Sequence, residues 1–229
     1  MNIFGLKNSQ TDLSYLKIQN TNDQFWNLLP EELIEHSIKK GEGQLADNGA
    51  IVIKTGKFTG RSPKDRFIVK DDITSNTVDW NDINMPFKPE NVKNLHAKMV
   101  DYLKGKEIYV RDAYACADDD YRLNLRLVSE LPWSSQFAHN MFQRPTKDEI
   151  ENFEPEWNII QAPDFTADAR VDGTRQENFA IINFTEKLIL IGGTGYTGEI
   201  KKGIFSVLNY VLPHSKDVLS MHCSANTHE

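Results

Sequence analysis

Lys57-Phe58-Thr59-Gly60-Arg61-Ser62-Pro63-Lys64-Asp65-Arg66 places four cations within ten positions, with Gly56 just ahead of them. Glycine lets a backbone approach a ligand closely, and arginine offers a planar fork of donors for a carboxylate or phosphate. The stretch is not a phosphate-cradling P-loop. Counted from Gly56 it is one residue short, and Arg61 stands where the lysine belongs. An anion site and a solvated basic loop both remain open.

A second glycine cluster, Gly192-Gly193-Thr194-Gly195-Tyr196-Thr197-Gly198, contains Gly-x-Gly-x-x-Gly between an apolar run and a helical pattern. That is the setting of a dinucleotide fingerprint. The acid expected about 20 residues later is missing, because Met221, His222 and Cys223 occupy that region. A tight strand-to-helix turn is therefore preferred. In the helix that follows, Ile200, Ile204, Leu208 and Val211 share a stripe, with Lys202 roughly opposite. Lys201 and Lys202 in the first turn sit badly with the helix dipole unless an anion or a metal-bound substrate lies there. Lys202 can ligate a metal only as a neutral amine, which burial and nearby positive charge would favour. His222, in the apolar stretch VLSMHCSA, is either a core histidine or a second ligand.

The elements that must position these groups read as mixed. Helices are expected over Asp23–Leu29, from Pro30 to about Gly41, from Pro89 to about Gly105 with Val92, Leu95, Met99 and Leu103 in register, over Trp133–Phe142, and over Glu199–Leu212. Strands are expected over Ala50–Thr55, Arg66–Lys70, EIYVRDAYA, YRLNLRLVSE, WNIIQAP, NFAIINF, KLILIGG and VLSMHCSA. NFAIINF and KLILIGG, separated by Thr185 and Glu186, form a predicted hairpin. The fold class is α/β with a mixed β-sheet flanked by helices.

The 229 residues suit one large domain or two small ones and are enough for a substantial core. A net charge of −7 argues against a nucleic-acid partner. The two cysteines, Cys116 and Cys223, make no disulfide framework, and no apolar run is long enough to cross a membrane. The expectation is a cytoplasmic protein without a membrane or nucleic-acid partner.

TGKFTGRSPKDRFIV, VRDAYACADDDYRLNLRLVSE, FAHNMFQRP, FTADARVDGTRQENFAIINF, LILIGGTGYTGEIKKGIFSVLNYVLP and LSMHCSAN occur here in the order found in the ATP-dependent phosphoenolpyruvate carboxykinases, which the chain resembles through most of its length. The resemblance implies conversion of oxaloacetate and ATP to phosphoenolpyruvate, CO2 and ADP, a reaction of gluconeogenesis, with manganese and magnesium. Decarboxylation would come first, and the resulting enolate would attack the γ-phosphate. By resemblance, Arg61 grips the substrate carboxylate and Tyr196 lines the same site. Lys202 is the neutral amine ligand of manganese at the reacting centre, and His222 is the imidazole ligand.

This sequence departs from the family's pattern at Gly195, where a larger residue is usual, and in Thr227-His228-Glu229. It holds no Gly-x-x-x-x-Gly-Lys-Ser/Thr cradle for ATP, and the family's aspartate metal ligand lies beyond MHCSAN. The expectation is one N-terminal domain over residues 1–229, inactive alone, with a nucleotide-binding domain as its missing partner. A non-catalytic dicarboxylate-binding module is the alternative, and a dinucleotide-binding protein the third.

Overall fold

The computed structural model describes residues 1–228; Glu229 lies outside them. The strands are β1 (Ile3–Gly5), β2 (Gln24–Trp26), β3 (Gly43–Leu45), β4 (Ile51–Ile53), β5 (Arg66–Val69), β6 (Met85–Phe87), β7 (Ile108–Ala115), β8 (Leu123–Ser129), β9 (Trp157–Ala162), β10 (Phe179–Asn183) and β11 (Leu188–Gly192). The helices are α1 (Pro30–Lys39), α2 (Pro89–Tyr102), α3 (Pro132–Met141), α4 (Lys147–Glu151) and α5 (Gly198–Lys216). Among the described residues, nine strands form one sheet in the order β1-β2-β7-β8-β9-β11-β10-β5-β6. Only β7/β8 and β10/β11 pair antiparallel in it. The sheet is mixed, as the sequence predicts. β3 and β4 form a separate small hairpin.

Period-two alternation sends neighbouring residues to opposite faces, and both faces are covered. On one face Val110, Val128, Ile160 and Leu190 pack with Val92, Leu95 and Met99 of α2. On the other, Leu125, Leu127, Ile159, Ile189 and Ile191 pack with Ile200, Ile204 and Val207 of α5 and Ala138 of α3. Pro30, Pro89 and Pro132 open their helices at a position whose missing N–H costs nothing.

The Leu/Arg alternation of β8 does not mark a solvated face. Arg126 is fully buried, its Nε donates to Asp112 Oδ1 at 2.7 Å, and its guanidinium lies 5.0 Å from the Trp26 ring. A buried arginine is tolerable because a carboxylate and aromatic faces replace water.

Two expected elements are corrected. Asp23–Leu29 is not a helix: Gln24–Trp26 is a strand between β1 and β7, and Asn27 at φ 50° breaks the backbone beyond it. The burial of Trp26 in the sheet layer outweighs the helical spacing. VLSMHCSA forms no strand either. It runs along α5, where Val218 N–H donates to the Leu212 carbonyl and Ser220 Oγ to Asn209 Oδ1. A strand needs a neighbour with free backbone groups, and this stretch meets a helix instead. His222 is accordingly exposed and outside any apolar strand.

Candidate functional site

The start of α5 gathers the groups that the sequence singles out. β11 delivers the chain into the turn 193–197, where Gly193 adopts φ +67°. A Cβ there would lie 2.5 Å from the Glu177 carbonyl oxygen, so only glycine fits. A Cβ on Gly195 would lie 3.0 Å from the Thr55 carbonyl oxygen and 3.2 Å from the Trp133 ring. These two glycines serve close packing of the protein on itself. The geometry fits a tight turn.

Tyr196 N–H donates to Thr194 Oγ1 at 3.1 Å, and Thr194 Oγ1 donates to the Phe58 carbonyl at 3.4 Å. The turn thereby holds one end of the basic loop. The Tyr196 ring folds against Gly198, where any side chain would collide with it. Lys202 follows in the second turn, with Nζ 5.1 Å from the centre of the Phe205 ring. The His222 ring packs on the same phenyl group, centroid to centroid 5.0 Å. Phe205 therefore bridges Lys202 and His222.

The four cations of the loop divide in two. Arg66 donates a fork to Glu199 at 2.7 and 2.9 Å, and Lys57 pairs with Glu177. Asp65, buried in the same loop, accepts from Arg175 at 2.9 and 2.8 Å and from Gln176 at 2.8 Å. Arg61 and Lys64 have no ion-pair partner among the described residues. Arg61 lies close enough to Lys202 to act on its charge. Partial burial, and then the positive charges of Arg61, Lys201 and Arg66, hold the Lys202 amine below the ordinary lysine range; Glu199 opposes them. A lowered amine pKa is what a neutral nitrogen donor requires.

Arg61, Tyr196, Lys202 and His222 thus all lie around the first turns of α5. They do not share one closed pocket. A cavity of about 330 Å³ beside them is lined by Lys202, Arg66 and Glu199 over a floor of Ile68, Ile182 and Phe184, and Arg61, Tyr196 and His222 lie outside its lining. Among the described residues no group of three His, Cys, Asp or Glu side chains could hold a metal. Lys202 and His222 are nitrogen donors of a suitable kind but too few for a closed centre. Cys116 and Cys223 are both free thiols.

Sequence reasoning missed Glu199. It is 3 % exposed and receives Arg66 and, at 3.4 Å, the Ser62 N–H. An acid in the first turn of a helix that opens Glu-Ile-Lys-Lys was the available signal.

Fold and site together define an α/β protein with a cation-rich helix start facing a basic loop. The chain belongs to the phosphoenolpyruvate carboxykinase family, whose model matches residues 22–229. It is 57 % identical over 204 residues to a phosphoenolpyruvate carboxykinase (ATP) of Christiangramia forsetii, covering 89 % of this chain and 38 % of that protein. With the protein of the same name from Flavobacterium johnsoniae the identity is 53 % over 214 residues, covering 93 % of this chain and 40 % of the relative. With that of Amoebophilus asiaticus it is 49 % over 216 residues, covering 94 % and 42 %. The chain spans about two fifths of the length of these relatives. No helix among the described residues is long and apolar enough to cross a membrane.

Proposed function

We propose that these residues carry the substrate-facing half of a cytoplasmic ATP-dependent phosphoenolpyruvate carboxykinase of gluconeogenesis, converting oxaloacetate and ATP to phosphoenolpyruvate, CO2 and ADP. The observation that carries this reading is Arg61. Its loop is fastened at both ends, yet its own guanidinium has no ion-pair partner among the described residues, and its charge bears on Lys202. A planar fork held in this way can take a carboxylate through two parallel hydrogen bonds. Tyr196 lines the same place and restricts how the substrate turns. Lys202 offers a nitrogen whose proton is held weakly.

Manganese and magnesium belong to the proposal as metals of the family, with Lys202 and His222 as two of the manganese ligands. Further donors must come from outside the described residues. The metal would supply stabilisation of negative charge on an enolate oxygen. ATP needs a cradle for its phosphates, and the 229 residues contain no motif of that type. We therefore assign residues 1–229 as one domain whose partner is a nucleotide-binding domain, and expect negligible turnover from these residues alone.

Calorimetry with oxaloacetate tests the site directly. Binding should weaken roughly tenfold to a hundredfold in Arg61→Ala, the cost of losing hydrogen bonds to a charged group. No binding by the unaltered chain would overturn the reading. Binding without phosphoenolpyruvate formation in the presence of ATP and manganese would fit both the half-site and a dicarboxylate-binding module. Adding a separately expressed nucleotide domain distinguishes them, because only the half-site gains turnover.

A further inference from the structure

We propose that Glu199 is a positioning residue that docks the Arg61-bearing loop onto the helix carrying Lys202. The assignment rests on the reading of Arg61 and Lys202 as substrate-side groups.

Three bonds converge on this one carboxylate. Oε2 accepts from Arg66 Nε at 2.7 Å, and Oε1 accepts from Arg66 Nη2 at 2.9 Å and from Ser62 N–H at 3.4 Å. Ser62 follows Arg61 directly in the chain, so the docking point lies one residue from the free guanidinium. Glu199 also precedes Lys202 by three positions, the spacing at which helix side chains are neighbours. Its own N–H donates to the Tyr196 carbonyl at 3.2 Å. Glu199 thus touches the neighbour of Arg61 through its carboxylate and Tyr196 through its backbone, one helical turn from Lys202.

Its environment makes the contact decisive. Glu199 is buried, and a buried carboxylate is tolerated only when paired and hydrogen-bonded. The other fastenings of the loop act elsewhere. Lys57 and Glu177 form a largely exposed pair of small worth. Asp65 ties the loop to residues 175 and 176 instead of to α5. Among the described residues, only Glu199 hydrogen-bonds the neighbour of Arg61 from the helix.

Glu199→Gln keeps the shape and an acceptor oxygen but removes the charge and the fork. Hydrogen exchange followed by mass spectrometry should show peptides spanning residues 57–65 exchanging roughly tenfold faster, while peptides from β9 and β11 are unchanged. Arg66→Lys, which retains the charge and loses the fork, should show a smaller increase in the same peptides and serves if Glu199→Gln does not fold. Calorimetry with oxaloacetate supplies the readout that a merely structural role would not move. Glu199→Gln should weaken binding about tenfold in the unaltered chain and have no further effect in Arg61→Ala, because the two residues act on one contact. Unchanged exchange in residues 57–65, acceleration spread over the whole chain, or additive losses in the double variant would each overturn the proposal. If the unaltered chain binds no oxaloacetate, the functional reading falls, and the exchange experiment still decides whether Glu199 docks the loop.

Discussion

At the scale of single residues, the nearness of Arg61 and Lys202 has a measurable signature. The Arg61 guanidinium is the largest charge that pushes the Lys202 amine down. Arg61→Ala should therefore raise the Lys202 pKa, read by pH-dependent acetylation and mass spectrometry with Lys201 as the internal control; a fall or no change would separate the two groups. The buried Asp112–Arg126 pair makes a second prediction. Asp112→Asn strands a buried guanidinium, one of whose nitrogens, Nη2, already lacks a partner, and should cost about 3–5 kcal/mol in a urea titration. The family was legible because the motifs that hold Arg61, Tyr196, Lys202 and His222 have residue types and an order that can be recognised. Glu199 was not. Its partner Arg66 is 133 positions away, and only the fold makes them neighbours.

Among the elements, those with a long period were the readable ones. Val92, Leu95 and Met99 declare α2, and the alternation of Leu123, Leu125 and Leu127 with Arg122, Asn124 and Arg126 declares β8. β2 and β6 are three residues each, too short to show any period, and the neighbours that create them are distant in sequence. VLSMHCSA has the composition of a strand without an edge to join. The turn before α5 is the most constrained connection at the candidate site. Gly193→Ala would have to hold φ +67° with its Cβ against the Glu177 carbonyl, and should destabilise the chain by more than the ~1 kcal/mol of a left-handed alanine alone. A chemical-denaturation midpoint equal to that of the unaltered protein would show that the turn rearranges freely.

For the whole molecule, two partly buried groups set opposing responses to pH. Burial, then the charges of Arg111 and Arg144, hold the His139 pKa down at about 4, against 6.5 in an unfolded chain. Between those values the unfolded chain binds the extra proton, so this contribution to stability is lost as pH falls from 6.5 toward 4. Burial raises Glu42 to about 7 from 4.5, so the folded chain keeps a proton that the unfolded chain has released, and stability is lost as pH rises through that window. Glu42→Gln should remove this second loss: its urea midpoint relative to the unaltered protein should climb from pH 4.5 to 7, and a flat difference would contradict the assignment.

The strand order carries a further consequence, for synthesis. β5, paired on one side with β6, gains its second neighbour only when Arg66 meets Ala180, and β9 gains its outer neighbour only when Ile159 meets Ile189. The β10–β11 hairpin is the keystone between β5–β6 and the larger part of the sheet that ends at β9. Once residue 178 has emerged and the hairpin has not, the chain displays the two β edges, of β5 and β9, that the hairpin will cover, and chaperone demand should peak just before the hairpin emerges from the exit tunnel.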